Sequence, residues 1–212
     1  MKSESHIEFS EKQVQILQVA ERMFAEKGFD GTSIRNIASS AGVNIAMISY
    51  YFGSKEKLLE QLFLYRASDL KIQLENLLRE ALTPFEKIDR LIELYLARVN
   101  KNRCIYQILH FEISVNRRAL NMEVFHEIKK ENILALEKII REGQEKNIFA
   151  SNVNIALIPP TILGTFFHFT MNKPFYRNIF NIENDADFEA YIANELTKHL
   201  KQTIKALLTN EK

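Results

Sequence analysis

The stretch from Thr32 to Leu59 places the tightest constraint on what this chain can fold into. It reads TSIRNIASSAGVNIAMISYYFGSKEKLL, and its apolar residues recur at helical spacing. Residue types that cap helices, together with one glycine, stand between the apolar groups at the points where short helices would begin and end. The pattern therefore predicts two short helices joined by a tight turn, followed by a third helix.

The first short helix is predicted from one apolar face at the spacing i, i+3, i+4 and i+7, which consists of Ile34, Ile37, Ala38 and Ala41. Ser33 is expected to cap the start of this helix, because its hydroxyl can accept a hydrogen bond from a backbone N–H. Gly42 follows the apolar face, at the place where helices commonly end in a left-handed residue. These residues predict a short helix that ends at the glycine.

The second short helix is predicted to follow Asn44, a favoured capping residue, while the apolar Val43 fills the gap between the two helices. Three residues would pack this helix back onto the first: Ile48, Tyr51 and Phe52. Ser54 is expected to cap the third helix, with Glu56 in its first turn, where the helix dipole favours an acid. This arrangement predicts a helix-turn-helix motif over residues 34–53, which lays its second helix in the major groove of DNA.

The alternative interpretation is a helical hairpin inside an ordinary all-α core. The agreement of caps, turn glycine and apolar spacing favours DNA binding, and so does the local charge. No acidic residue occurs between Gly31 and Lys55, and Arg35 and Lys55 frame this segment. A surface that contacts phosphates should avoid acids, because phosphate contacts supply much of the affinity for DNA. The net charge of +1 does not by itself indicate a nucleic-acid partner.

Composition predicts an all-α fold of about nine helices. Hydrophobic residues make up 46% of the 212 positions, and only four prolines and six glycines interrupt them. Alternating runs typical of strands are nearly absent. The helices are predicted over residues 10–27, 33–41, 44–52, 54–82, 84–100, 104–115 and 118–146, in a segment that ends near 171, and over 185–209, with 172–184 as a loop.

The segment from Asn147 to Asn172 contains no Lys, Arg, Asp or Glu. Its length would suffice to cross a bilayer, but the pair Pro159-Pro160 and several polar residues argue against a spanning helix. A helix buried on nearly all sides, by the core and by a partner subunit, explains the missing charge better. No membrane association is expected. No signal peptide is apparent, which indicates a cytoplasmic protein. The single cysteine, Cys104, is expected to be a buried thiol, with a redox sensor as the alternative.

From Ile16 to Leu59 the sequence ILQVAERMFAEKGFDGTSIRNIASSAGVNIAMISYYFGSKEKLL resembles the TetR family of bacterial transcriptional regulators. The remainder resembles the family only in its helical architecture, although REGQEKNIF, from Arg141 to Phe149, is similar to the turn before the family's last two helices. The resemblance implies a DNA-binding domain over residues 9–70. It also implies a C-terminal helical bundle for ligand binding and dimerisation over residues 71–212.

The resemblance further implies a ligand-responsive repressor that binds a palindromic double-stranded DNA operator as a homodimer. The last two helices of each subunit would form the dimer interface, and an apolar or amphipathic small-molecule effector would release the DNA. An activator, or a DNA-binding organiser that ignores small ligands, is the alternative within the same fold. Sequence does not separate repression from activation, because that depends on where the operator lies.

Carried onto this chain, the resemblance assigns DNA contacts to two groups of residues. Phosphate contacts would come from Thr32, Ser33, Arg35, Tyr51 and Lys55. The groove face of the second short helix would consist of Asn44, Ile45, Ala46, Met47, Ser49 and Tyr50. Ile45 and Met47 depart from the short polar or charged residues frequent in the family, and Ser49 replaces a frequent tyrosine.

The effector site is expected among aromatic and neighbouring residues of the later helices, because aromatic-rich cavities suit apolar or amphipathic ligands. The candidates are Phe63, Tyr95, Tyr106, His110, Phe111, Met122, Phe125, Phe166, Phe167 and Phe169. The competing interpretation for each of them is ordinary core packing.

An all-α metalloenzyme is the remote alternative. A di-iron bundle needs two Glu-x-x-His pairs, and the chain offers one, Glu123-x-x-His126. No glycine-rich phosphate loop, zinc-type cluster or nucleophile elbow is present in the sequence. No cofactor, no metal and no catalytic residue are therefore expected.

Overall fold

The computed structural model describes residues 9–106, 108 and 122–209, with the backbone alone for residues 67–69, 71, 122, 124, 125 and 128. Helices account for the regular structure of these ranges, and no strand occurs in them. The all-α prediction is confirmed. The α-helices are α1 (Glu11–Lys27), α2 (Ile34–Ser40), α3 (Ile45–Phe52), α4 (Lys55–Arg79), α5 (Pro84–Lys101), α6 (Met122–Glu145), α7 (Ile158–Met171), α8 (Lys173–Ile179), α9 (Asp185–Tyr191) and α10 (Thr197–Leu208).

Two shorter pieces complete these helices. A 3-10 turn, Ile155–Leu157, leads into α7, and a π-helical segment, Ile192–Leu196, joins α9 to α10. The chain divides into two compact units, one made of residues 1–70 and 102–129 and the other of residues 71–101 and 130–212. The domain boundaries given above, at residues 70 and 71, stay a prediction.

The core of the first unit is built by the apolar faces of α1 to α4 and by two isoleucines that follow α5. Its buried residues include Ile16, Leu17, Ala20, Phe24, Ile37, Ala38, Ile48, Phe52, Leu58, Leu59, Leu62, Ile105 and Ile108. Ser10 caps α1 through a reciprocal capping box with Gln13, as the sequence predicts. Every helix of the predicted DNA-binding motif therefore contributes its apolar side to one core.

In the second unit α5 packs against α10 and α7. Two ion pairs tie α5 to α10: Lys201 Nζ lies 2.5 Å from Glu93 Oε1, and Lys205 Nζ lies 2.6 Å from Asp89 Oδ2. The last helical stretch buries a residue at every fourth position, namely Phe188, Ile192, Leu196, Leu200, Ile204 and Leu208. The π-helical segment lies within this series, and the Thr197 hydroxyl donates to the Ile192 carbonyl 2.8 Å away.

Three expectations about the fold are wrong. Residues 172–184 are not a continuous loop, because α8 forms within them, with Pro174 in its first turn, where the fixed φ of proline suits a helix. The helix predicted over 54–82 ends earlier, at Arg79. Cys104 is exposed rather than buried, since Ile105 and Ile108 occupy the buried positions of its short helical stretch.

Candidate nucleic-acid interface

The turn between α2 and α3 has the conformation that the sequence predicts. Ser33 caps α2 by accepting a hydrogen bond from the Asn36 N–H at 3.1 Å. Gly42 adopts a φ of +61°, in the left-handed region, and the Val43 N–H then donates to the Ala38 carbonyl at 3.0 Å. A side chain at Gly42 would be strained by this φ whatever the space around it. The glycine therefore sets the angle at which α3 leaves α2.

One side of α3 anchors the helix and the other faces outward. Ile48 and Phe52 are buried in the core of the first unit, with Ile48 only 1% exposed. The outward face consists of Asn44, Ile45, Ala46, Ser49 and Tyr50, and the Tyr50 side chain is 84% exposed. Met47 and Tyr51 are half-buried at its edges. An exposed tyrosine held on a rigid, anchored helix is available to a partner rather than to the core.

The start of α3 is fixed by Asn44, whose side-chain oxygen accepts a hydrogen bond from the Ala46 N–H at 2.9 Å. The end of α2 is fixed from α1, because the Gln15 side-chain amide donates to the Ala41 carbonyl at 3.0 Å. The Gln15 contact was missed by the sequence reasoning. It joins residues 26 positions apart, so no local sequence pattern indicates it.

A buried ion pair connects α1 to α4 within the first unit. Arg66 Nε donates to Glu21 Oε2 at 3.0 Å, and Arg66 Nη2 contacts the same oxygen. The Glu21 side chain is only 7% exposed, so removing either partner would leave a charge poorly solvated. This pair, also missed from the sequence, holds the helix behind the motif in place.

Thr32 lies inside the unit rather than on its surface. Its side chain is buried, and its hydroxyl oxygen lies 3.0 Å from the Met23 carbonyl oxygen and 2.9 Å from that of Gly28. The hydroxyl can therefore donate its hydrogen to these two backbone carbonyls, at the end of α1 and just after it. The Thr32 side chain is therefore not part of the exposed surface proposed to contact phosphate.

Lys55 also makes internal contacts. Its ammonium group donates to the Phe29 carbonyl at 2.9 Å and to the Thr32 carbonyl at 3.0 Å, and it lies 4.2 Å from the centre of the Phe29 ring. An ammonium has three N–H donors, so one remains for an anion. Lys55 can therefore fasten the loop before α2 while its charge still acts at the surface.

Ser33 and Arg35, at the start of α2, are exposed, and in the described part of the chain no carboxylate pairs with Arg35.

Downstream, Glu56 follows the acid-free segment. Hydrogen bonds from its own backbone N–H and then from the Ser54 side chain hold the pKa of the Glu56 carboxyl below its usual range. These hydrogen bonds hold the Glu56 carboxylate at the first turn of α4, where the helix dipole favours a negative charge.

The predicted effector residues are distributed over both units. Phe63 is buried in the first unit, and Tyr106 packs against the same core. Tyr95, Phe166 and Phe169 are buried in the second unit, where Phe167 is half-buried. His110 and Phe111, and the side chains of Met122 and Phe125, lie outside the described residues. The assignment of these residues to an effector stays a prediction.

A groove of about 920 Å³ lies between α5 and the stretch from α9 to α10. Its lining mixes charged, amide and small apolar side chains and includes Glu93, Ala97, Asn100, Ile192, Lys198 and Lys201. None of the described effector candidates lines it. The groove was not predicted, because it depends on the packing of helices about one hundred residues apart in sequence.

The capped motif and the helical unit that follows it match two family models. Residues 16–62 match the model for bacterial regulatory proteins of the tetR family, and residues 84–203 match the model for the tetracyclin repressor-like C-terminal domain. The chain belongs to the TetR family of bacterial regulatory proteins. The resemblance stated from the sequence is confirmed, and the second model extends it beyond the helix-turn-helix. This is a family of transcriptional regulators.

Two relatives and one solved structure illustrate the similarity. The chain is 33% identical over 151 residues to the repressor NicS of Pseudomonas putida, covering 66% of each protein. It is 30% identical over 133 residues to "Probable HTH-type transcriptional regulator YttP" of Bacillus subtilis, covering 62% of this chain and 64% of YttP. These matches span just under two thirds of each relative. FadR from Bacillus subtilis, solved in complex with stearoyl-CoA, matches with a TM-score of 0.67 at 22% identity, over 88% of this chain and 96% of FadR.

Two features of the described residues bear on other classes of protein. Across the described residues, no helix has both the length and the apolar character that crossing a bilayer requires. In the same residues no group of three or more His, Cys, Asp or Glu side chains is arranged to hold a metal ion. The residues of the Glu123-x-x-His126 pair are both exposed on α6.

Proposed function

We propose that the chain is a ligand-responsive transcriptional repressor that binds a palindromic DNA operator as a homodimer. The observation that carries the proposal is the outward face of α3. Its capped helix is anchored by Ile48 and Phe52, and it presents Ile45, Ser49 and Tyr50 on the opposite side. A recognition helix needs this combination, because base edges are read by side chains held in fixed register with the phosphate contacts.

The proposed phosphate contacts flank this helix. Ser33 and Arg35 are exposed at the start of α2, and Tyr51 is half-buried at the end of α3. Lys55 keeps one N–H donor beyond its two bonds to backbone carbonyls. The segment from Gly31 to Lys55 carries no acid that would repel the DNA backbone.

The dimer interface is proposed on the uncharged face of α7, with the helices after it. The exposed residues of this face are Leu157, in the turn just before α7, and Pro160, Gly164, His168 and Met171, which follow one another at intervals of three or four. This spacing places them on one side of the helix. The face contains no Lys, Arg, Asp or Glu, as is typical of surfaces that a second subunit covers.

The proposed effector is a small apolar or amphipathic molecule. The second unit is rich in aromatic side chains near α7, where Phe169 lies 4.5 Å from Tyr176 and 5.0 Å from Phe188 between ring centres. FadR of similar fold carries stearoyl-CoA, which supplies a first probe of the amphipathic class. The operator complex would be titrated with stearoyl-CoA, with acetyl-CoA and with free coenzyme A. Release by stearoyl-CoA alone would assign the effect to the acyl chain.

The experiment that tests DNA recognition is a binding titration on DNA upstream of the gene, at two salt concentrations, against random competitor. Tyr50→Ala should weaken binding to the specific site far more than binding to random DNA. Leu134→Ala, a truncation of an exposed residue on α6, is the control and should leave both unchanged. Equal loss on both DNAs with Tyr50→Ala would contradict base readout by this side chain.

The dimer interface is tested with Gly164→Glu. A Cβ built on Gly164 meets no other atom within 4 Å, so the subunit can accept a side chain there without strain. The substitution should yield monomers in analytical ultracentrifugation, because it places a charge inside an apolar seam. Gln73→Glu, on the exposed surface of α4, is the control. An unchanged mass with Gly164→Glu would place the interface elsewhere.

A further inference from the structure

Apart from Asn44, the outward face of α3 lacks the side chains that most strongly discriminate base pairs. Those pairings use Arg or Lys with guanine and Asn or Gln with adenine, each through two hydrogen bonds. α3 reads IAMISYYF and contains none of these residue types. Asn44 precedes it, but its side-chain oxygen already accepts the Ala46 N–H at 2.9 Å. The amide is therefore occupied in capping the helix rather than set to pair with adenine through both of its atoms.

Apolar atoms stand where base contacts are made. Residues in the first turn of a recognition helix lie nearest the base edges. In this chain they are Ile45, which is 41% exposed, and Ala46, which is exposed. Ile45 is not needed to anchor α3, since Ile48 and Phe52 are buried on the opposite side. The one apolar group that the major groove offers is the C5-methyl of thymine.

We propose that Ile45, with Ala46 beside it, reads a thymine methyl group, so that each operator half-site presents thymine to the first turn of α3. The inference rests on the proposed function and specifies the chemistry of the DNA that it binds. Ser49 and Tyr50, one turn later, add hydroxyl groups that can each make single contacts. Burying one methyl group is worth about fourfold in affinity, so removing it from both half-sites should cost about fifteenfold.

The test uses deoxyuridine, which differs from thymidine only by the missing methyl group and pairs identically with adenine. An operator is first selected from random duplexes with the full-length protein. Each thymine is then replaced symmetrically in both half-sites, and dissociation constants are measured for the wild type and for Ile45→Ala. Ile72→Ala is the matched control, because Ile72 is a 45% exposed isoleucine on α4.

The expected result is a loss of about fifteenfold at one symmetric position for the wild type and for Ile72→Ala. With Ile45→Ala the same replacement should cost less than about twofold, because the side chain that touches the methyl is gone. The inference would be overturned if no replacement changed the affinity of specific binding, or if the same replacement caused an equal loss of affinity with Ile45→Ala. Either result would leave the proposed function standing. If the selection enriched no sequence, the proposed function would fail, and this inference with it.

Discussion

The ammonium group of Lys55 lies 3.0 Å from the backbone oxygen of Thr32, so a cation in the first turn of α4 fastens the loop that leads into α2. The same group donates to the Phe29 carbonyl at 2.9 Å. Lys55→Met keeps most of the apolar stem and removes both hydrogen bonds. We expect it to lower the free energy of unfolding by about 1–3 kcal/mol, measured by urea titration. Lys57→Met, two positions on, is exposed and serves as control.

The two roles of Lys55 separate in this experiment. If its main contact were with phosphate, Lys55→Met would weaken DNA binding with no change in the free energy of unfolding. The structure instead favours a loss of stability, with weaker DNA binding as an added effect of the missing charge.

Thr32→Val tests the internal position of the Thr32 hydroxyl. The change preserves the shape of the side chain and leaves the carbonyls of Met23 and Gly28 without that donor. The free energy of unfolding should fall by about 1–2 kcal/mol, while operator affinity of the folded protein stays the same. Ser33→Ala, which removes the exposed cap of α2, is the comparison. A large loss of operator affinity in Thr32→Val that is still fully folded would instead indicate that the Thr32 hydroxyl contributes to DNA binding.

Arg35→Gln should weaken binding to operator and to random DNA by a similar factor. The reason is that a phosphate contact carries no sequence information. In a plot of log affinity against log salt concentration, the slope should become shallower by about one per DNA-bound subunit. Arg79→Gln makes the same change of charge at the exposed end of α4 and should leave the slope unaltered. Selective loss on the operator would instead indicate that Arg35 reads a base.

Glu93 gives the second unit a predictable dependence on pH. The hydrogen bond from Lys201, and after it that from Arg90, holds the pKa of the Glu93 carboxyl below its usual range. A carboxyl with a lowered pKa in the folded state contributes stability above its unfolded pKa of about 4.3 and loses it as the pH falls through the folded value. Glu93→Gln should therefore be less stable than the wild type near pH 7, and the difference should shrink below about pH 4.

The measurement for Glu93 is urea unfolding at several pH values, repeated with Lys201→Met and with the double variant. If Lys201 is the cause, the two single changes should be less than additive at pH 7. A difference between wild type and Glu93→Gln that persists unchanged at low pH would contradict this assignment.

Gly143 is required by the packing of a neighbouring ring. A Cβ at this position in α6 would come within 2.1 Å of the Phe149 ring, which itself lies 4.9 Å from the Phe85 ring centre. Gly143→Ala should therefore destabilise the protein by about 1–3 kcal/mol, although alanine favours helices. Combining it with Phe149→Ala, which removes every ring atom that the new Cβ would meet, should cost less than the sum of the two changes, as measured by thermal or urea unfolding. Simple additivity would mean that the ring is not the obstacle.

Local patterns predicted the helix-turn-helix well, because its determinants are close in sequence. Ser33, Gly42 and Asn44 act on residues within five positions of themselves, so their caps and turn could be read from the chain. The α8 helix was missed because asparagines around it are typical of loops, while Pro174 favours a first helical turn. The asparagines therefore predict a loop and the proline a helix, and the local sequence does not decide between the two.

Long-range contacts were beyond such reasoning. The sequence marks Thr32 and Lys55 as polar residues beside a DNA-binding motif, but only the fold shows that both face backbone carbonyls. The Glu21–Arg66 pair joins residues 45 positions apart, and neither residue stands out from other charged positions on its helix. The assignment of DNA-facing residues on α3 stays a prediction, supported by their exposure.

The buried series from Phe188 to Leu208 has a consequence for the last helix as a whole. In an α-helix each step of four residues overshoots a full circle by about 40°, so five such steps would carry the stripe about 200° around the axis. The π-helical segment at Ile192–Leu196 advances by a smaller angle per residue and so subtracts from this drift. The π-helical segment thus keeps the buried stripe and the two lysines in register with α5. Without it, Lys201 and Lys205 would rotate away from Glu93 and Asp89, and a polar side of the helix would face the core of the second unit.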